Sequence, residues 1–435
     1  MQTRNRKPRP ERAPAEEALL EPSLPHGGAL PPALFANRPF TWLVVSSGLS
    51  QLGFWAFFVI VLGQASYRFH AGATELGLLF ASFSVSFLLL TAPFGMVTDR
   101  WSPKWFLLVG QLVSTAAVAV AFAGTSLWWL YLASAIDGVG AAASIPSRGS
   151  LTALLVDEGS LVKANGMMNT ASMLAVIVGP GITGLLIRRG GQGSVYWFIL
   201  GALALGSILL LPIPDRRPAG GEEGSFAEDL IEGFRTAVHE PELRSLLVMA
   251  ASAWLMLTVL ITLEPLFVKD VLHRGIDALS FLWSANGVGA FLGALAITRM
   301  KRATGREVRL IGASLLIGGL GYLGYVGSRV FALAVAGDVV LGVGFAWYLS
   351  LSQALMQRVA AEHMRGRVIG VVGMMQEGAS LVGSLGIAAL GGLVLVQPFL
   401  VSSAALFAVS GVFGLRAGRR LERMGRSSPA VAVGD

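Results

Sequence analysis

The chain has 435 residues, with 33 Lys and Arg against 26 Asp and Glu, a formal net charge of +7 and no Cys. Its 54% hydrophobic and 14% charged residues set it apart from soluble proteins, which carry about 25% charged residues, so it reads as a membrane protein with a mean hydropathy of +0.66. Without Cys there are neither disulfides nor thiolate metal sites. The five His, at 26, 70, 239, 273 and 363, fall in the tail or between apolar runs with no two at ligand spacing, so no metal and no cofactor are expected.

Residues 1–38 are polar, Pro-rich and basic, with no cleavable apolar core, and read as a disordered cytoplasmic tail. Twelve apolar segments follow, at about 40–62, 74–97, 105–124, 127–147, 167–187, 195–213, 246–267, 278–298, 309–327, 330–351, 368–393 and 397–416. Each is long enough to cross about 30 Å of hydrocarbon as a helix. A barrel strand would alternate polar and apolar residues, whereas "SFSVSFLLLTAPFG" is apolar all round. The expected fold class is therefore all-α integral membrane, with twelve transmembrane helices. The expected organisation is a six-helix bundle at 39–213, a linker at 214–245, a second six-helix bundle at 246–417 and a cytoplasmic tail at 418–435. In the linker, Phe226, Leu230, Phe234 and Val238 recur at helical spacing, which predicts an amphipathic helix on the inner membrane surface.

Charge sets the expected orientation. With both termini in the cytoplasm, 27 of the 33 Lys and Arg lie on cytoplasmic segments, leaving Arg68, Arg188, Arg189, Lys269, Arg274 and Arg329 outside; this is the positive-inside pattern of a multi-pass plasma (inner) membrane protein. The net positive charge is then a topology signal and a lipid contact, and no basic patch with interleaved aromatics indicates nucleic acid. The halves also repeat. "GVGAA" at 138–142 is echoed by "GVGFA" at 342–346, and "GMM" at 166–168 by 373–375, which lays span 4 over span 10 and span 5 over span 11. Parallel six-helix repeats are a transporter architecture with a mid-membrane site between them.

Between spans 2 and 3 stands "GMVTDRWSPKW". Its Gly95, Asp99, Arg100, Ser102 and Lys104 resemble the loop motif of the major facilitator superfamily, with Pro103 departing from the usual basic residue. The resemblance implies a gating turn whose acid docks on a helix N-terminus of the other half, here near "MRGRVIG" at 364–370, where the dipole favours negative charge. "IPSRGSLTALLVDEGSLVKANGMMN" and "EGFRTAVHEPELRSLL" are similar to the branch of enterobactin exporters and macrolide-efflux proteins. "VGPGITG" resembles the antiporter motif of span 5, with Gly166, Gly179 and Pro180 in register and Ala175 where Gly is usual; a plain packing groove is the alternative. The superfamily often has an Arg in span 4, where this chain has Ser134, with Asp137 at the neighbouring Gln position.

No enzyme signature is present: "GVGAFLG" in span 8 lacks the spacing and the preceding strand of a nucleotide loop, and no Walker-type loop exists. Acids inside apolar runs are costly and usually functional. Asp338, in register with Ser134, is the first candidate to carry a coupling proton, followed by Asp137 and Glu377. With no Lys or Arg inside the assigned spans apart from Arg309 and Arg416 at their very ends, these acids are expected to be protonated for part of a cycle; neutral acids bonded to neighbouring helices are the alternative. Trp55, Trp254, Trp347, Gln51 and Glu264 are candidate cavity residues, the indoles suiting a bulky organic ligand or simple packing. The expected function is a monomeric, proton-coupled exporter of bulky, partly apolar small molecules, drug or macrolide-like. The alternatives are a siderophore or lipid exporter, and a non-transporting membrane sensor, for which no sizeable output domain is seen.

Overall fold

A computed structural model describes residues 36–217, 226–299, 306–361, 364–393 and 395–427. The tail at 1–35 and the last eight residues lie outside the described part. No strand occurs among the described residues; the elements are helices α1 (Arg38–Tyr67), α2 (Ala73–Arg100), α3 (Pro103–Ala123), α4 (Leu127–Leu155), α5 (Leu161–Leu210), α6 (Phe226–His239), α7 (Pro241–Leu266), α8 (Ile276–Thr298), α9 (Glu307–Val326), α10 (Phe331–Val359), α11 (Arg365–Leu390) and α12 (Val396–Ser427). Ten are long and apolar enough to cross a membrane. Helix α5 crosses twice: at Gly191 the backbone takes φ +73°, a region glycine enters without steric cost, and the chain reverses there. Its first arm runs up α1, Gly179 meeting Leu52, and its second runs back down, Gly206 meeting Ser46. Together with α4 this gives twelve crossings, and the amphipathic α6 lies between the halves in sequence, packed on α7 and α11.

The helices outrun the apolar segments at many ends, because hydropathy sees the hydrocarbon layer and not the polar turns beyond it. Three of these extensions matter. Helix α4 continues to Leu155, which brings Arg148 into a membrane-crossing helix and corrects the expectation that no Lys or Arg lies there. Helix α12 runs to Ser427, so the segment from 418 is largely a continuation of the last helix, fastened by a 2.9 Å ion pair between Arg309 and Glu422. Helix α7 begins at Pro241, inside the assigned linker, with Pro in its first turn. The odd Pro103 has the same explanation: it opens α3, where its missing N–H costs nothing and its fixed φ suits the helix.

The repeat has a packing cause. A Cβ on Gly138 would stand 2.5 Å from the Phe83 carbonyl oxygen on α2, and one on Gly140 would stand 2.8 Å from the Gly110 carbonyl oxygen on α3. At the equivalent places, Gly342 closes on Asn286 of α8, and Gly344 on Gly318 and Ser314 of α9, each under 3.0 Å. The glycines of each "GVG" thus let one helix wedge between two others, at the close backbone approach that packs helices in lipid. The turns repeat as well: His70 and His273 both adopt φ 52°, each just ahead of the glycine that begins the next helix, Gly72 and Gly275.

The halves meet at the end opposite the chain termini, here called the far end. There Gly77 of α2 lies against the backbone of Ser384 and Ala388 on α11. The Tyr67 hydroxyl donates to the Arg274 carbonyl (2.7 Å) and Lys269 to that of Ser66 (2.9 Å). Towards the terminal end α2 and α11 part around a cleft of about 540 Å³ lined by Gly95, Met96, Gly366, Gly370 and Glu377.

Candidate functional site

A central cavity of about 290 Å³ lies between α1, α2, α3, α4, α7 and α11. Its wall is aromatic: Trp55, Trp254 and six phenylalanines, among them Phe54, Phe58, Phe83 and Phe87. The rings hold one another edge-on or stacked, Phe54 to Trp55 at 5.5 Å and Phe83 to Phe87 at 5.8 Å between centroids, geometries that aromatic quadrupoles favour. Three charged side chains enter this surface: Asp137 and Arg148 from α4, three turns apart, and Glu377 from α11. The Nε atoms of Trp55 and Arg148 are buried and have no hydrogen-bond partner among the described residues. Glu377 borders both the central cavity and the α2–α11 cleft, which makes the two spaces neighbours. The cavity therefore offers a bulky molecule stacking surfaces, carboxylates for a cationic group and donors for an acceptor, the usual mix of apolar wall and few polar anchors.

A second group of polar side chains is buried within the C-terminal half. Glu264 on α7 accepts from Trp283 Nε1 on α8 (2.8 Å) and from the Tyr325 hydroxyl on α9 (2.6 Å). Asp338 on α10 accepts at Oδ1 from Asn286 Nδ2 on α8 (2.7 Å), while its Oδ2 is buried without a partner among the described residues. Both acids are nearly inaccessible, Glu264 4% and Asp338 3% exposed. Neither lines the central cavity.

The candidates from sequence thus divide. Asp137, Glu377, Trp55, Trp254 and Gln51 come together at the cavity. Asp338 and Glu264 belong to the buried cluster, and Trp347 spends its N–H on the Gly293 carbonyl (2.8 Å) where α8 packs on α10. Sequence reading missed Arg148, placed one residue beyond an assigned span, and the partners Trp283, Tyr325 and Asn286, whose residue types are ordinary in apolar helices. The one available signal was the pair of sparse, mid-helix polar groups three residues apart, Trp283 and Asn286, on one face of α8.

The motif of the α2–α3 turn is bound to its own half. Lys104 is 6% exposed and donates to the Leu211 carbonyl just past α5 (2.8 Å), where a cation also suits the helix dipole; Ser102 bonds Asp215. Arg100 is exposed at the end of α2. The Asp99 side chain lies outside the described part. Gly95 of α2 faces Gly366 and Gly370 of α11 across the cleft, and Arg367 pairs with Glu232 of α6; the implied docking of Asp99 on the start of α11 falls on a side chain outside the described part. In the α5 motif Gly166 meets nothing within 4 Å, and Gly179 closes on the Leu52 carbonyl of α1 at 2.9 Å with Pro180 buried beside it. The seam with the other half is made just beyond, by Gly181 and Gly184 against Ser284 and Ser280 of α8.

A family model for the Major Facilitator Superfamily matches residues 43–384. A relative from Bacillus subtilis (strain 168), the uncharacterized MFS-type transporter YfiS, is 24% identical over 81% of this chain and 87% of its own length. The multidrug efflux pump Tap of Mycolicibacterium fortuitum is 26% identical over 52% of this chain and 55% of its own. Among solved structures, a bacterial homologue of the human lysosomal transporter Spinster, inward-facing and unoccupied, superposes with a TM-score of 0.65 at 18% identity, covering 92% of this chain and 98% of that one.

Proposed function

Since the chain belongs to the Major Facilitator Superfamily, and is thus a membrane transporter of small molecules rather than an enzyme, we propose that it is a proton-coupled exporter of bulky, partly apolar organic molecules. Drug-like and macrolide-like compounds are the favoured class, a siderophore or a lipid the second, and the working unit is a monomer in the plasma (inner) membrane. The observation that carries this reading is the aromatic cavity with Asp137, Glu377 and Arg148 on its surface: stacking surfaces bind many ring systems with little shape selection, and the charges orient them. The names of relatives such as Tap point the same way. The contact of the halves at the far end and their parting at the terminal end make this one of the two states of alternating access; with both termini cytoplasmic, as the basic residues favour, it is the inward-open one.

Expression in a host stripped of its own pumps tests the substrate class. Cells should accumulate less ethidium, an aromatic lipophilic cation, and should tolerate macrolides better than cells carrying the empty vector. If the protein is present in the membrane and neither ethidium, macrolides nor any other amphipathic compound is affected, the export reading falls. The chain's lack of Cys tests orientation directly: Cys at Gln192 should react with an impermeant maleimide on intact cells, and Cys at Glu240 only after lysis.

A further inference from the structure

The buried cluster touches the seam between the halves at Trp283. Its ring lies 5.9 Å from that of Trp55 and 5.6 Å from that of Phe58, both on α1 of the N-terminal half, and Trp55 and Phe58 are themselves cavity wall. Trp283 is 9% exposed and sits one turn from Ser280, which packs on Gly184 of α5 at the closed far end. Its N–H is held by Glu264. An indole N–H only donates, so Glu264 serves Trp283 as an acceptor.

The hydrogen bonds assign the charge. Glu264 has a donor on each oxygen, Trp283 Nε1 on Oε2 and the Tyr325 hydroxyl on Oε1, the arrangement of an ionised carboxylate. Asp338 has one donor and one bare, buried oxygen, where a full charge would be left without a partner. Among the described residues, the titratable side chains facing the two acids are Tyr322 and Tyr325 from α9, and α8 adds Trp283 and Asn286. No Lys, Arg or His pairs with either acid among the described residues. Trp283 and Asn286, which hold the two acids, stand one turn apart on α8; two carboxyls so placed with no cation hold one negative charge between them, so the proton belongs on Asp338.

Building on the proton-coupled reading, we propose that Glu264 and Asp338 share one proton and latch the far-end gate through Trp283. While the proton is on Asp338, the Glu264 carboxylate holds Trp283 against Trp55 and Phe58, and the cavity is shut from the far side. A proton on Glu264 turns one of its acceptors into a donor; Trp283 loses its anchor, and the halves part at the far end. Passing that proton from a Glu264 oxygen to the bare oxygen of Asp338 restores the carboxylate and closes the latch. Glu264 is a positioning residue here, acting on the gate through Trp283.

The chain without Cys provides the test, with Ser280→Cys as a nearly isosteric reporter inside the closed seam. The measurement is its rate of reaction with an impermeant maleimide in membrane vesicles oriented with the far end outward, normalised to Arg189→Cys on the exposed surface at the same pH. Glu264→Gln, which mimics the protonated acid, should speed labelling at least fivefold. Asp338→Asn, which mimics the protonated form of its own residue, should leave labelling at the unsubstituted rate. Trp283→Phe should speed it like Glu264→Gln, and combining the two should add nothing further. The unsubstituted reporter should label faster as pH falls, because a second proton taken up from solution then occupies Glu264 while Asp338 keeps the first, and Glu264→Gln should remove that dependence. Equal acceleration by Glu264→Gln and Asp338→Asn would make both acids mere packing and overturn the latch. So would an unchanged rate in Glu264→Gln, or, should that variant fail to assemble, in Trp283→Phe. Ethidium efflux under an imposed pH gradient, measured in the same vesicles, separates the two ideas: if the unsubstituted protein shows no gradient-driven efflux but the labelling pattern holds, the latch stands and only the coupling reading is lost.

Discussion

The two halves share a backbone plan and differ in where their matching wedges place an acid. In the N-terminal half Asp137 comes off the "GVG" wedge of α4 onto the surface of the cavity; in the C-terminal half Asp338, one turn from the register of Asp137, comes off the matching wedge of α10 into a sealed cluster with Asn286. Most aromatic residues follow the same split. Trp55 and the phenylalanines of α1 and α2 line the cavity, joined from the C-terminal half by Trp254, while Trp283 and Tyr325 of that half turn inward to Glu264. The comparison teaches that a repeat conserves packing, which the glycines dictate, and leaves the chemistry of the remaining positions free. On the proposed reading, the acid of the first wedge meets the substrate and that of the second holds a proton.

The sharpest way to break this division is to neutralise each region in turn. Asp137→Asn combined with Glu377→Gln removes both carboxylates from the cavity and should lower ethidium affinity and efflux at least about tenfold, about 1.4 kcal/mol. Unchanged ethidium binding would mean that the cavity acids do not meet the substrate. Arg148→Gln should act more gently and with the opposite sign on charge selection, favouring cations over anionic compounds two- to fivefold by roughly 0.4 to 1 kcal/mol; equal effects on both would reduce Arg148 to a structural residue.

Packing is the part the halves share, so there they should respond alike. Gly140→Ala and Gly344→Ala each force a Cβ into the facing helix at under 3.0 Å and should each lower stability by about 1 to 3 kcal/mol, as overpacking does, read as an earlier thermal loss of monodisperse protein in detergent. A large effect at one position and none at the other would break the equivalence of the wedges. The smallest expected effect is at the α2–α3 turn: Lys104→Gln removes the charged cap on the end of α5 and should cost about 0.3 to 1 kcal/mol, with transport slowed rather than abolished.

Much of the fold was legible because lipid imposes a simple rule: a crossing must be long, apolar and helical. The twelve crossings, the reversal within 161–210 and the repeat could all be placed from hydropathy and from two short glycine matches. The site was only half legible. Asp137, Glu377, Trp55 and Trp254 stand out as polar or large groups in apolar runs, and they do converge on the cavity. Nothing in the sequence separates them from Asp338 and Glu264, because facing a cavity or a neighbouring helix is decided by helix rotation, which a run of apolar residues leaves undetermined. Arg148 was hidden by a boundary: hydropathy ends span 4 at residue 147, while the helix continues for two more turns. The motif turn was legible as a motif, yet the partner of its Lys104, the Leu211 group, is a backbone carbonyl that no sequence pattern marks.

The most direct test of the division of labour is to measure ethidium binding and uphill efflux in one preparation of purified Asp338→Asn protein in proteoliposomes with an imposed pH gradient. The account predicts ethidium affinity equal to that of the unsubstituted protein, together with loss of gradient-driven accumulation and of its sensitivity to a protonophore. Efflux that remains uphill, or binding that weakens in step with transport, would contradict it.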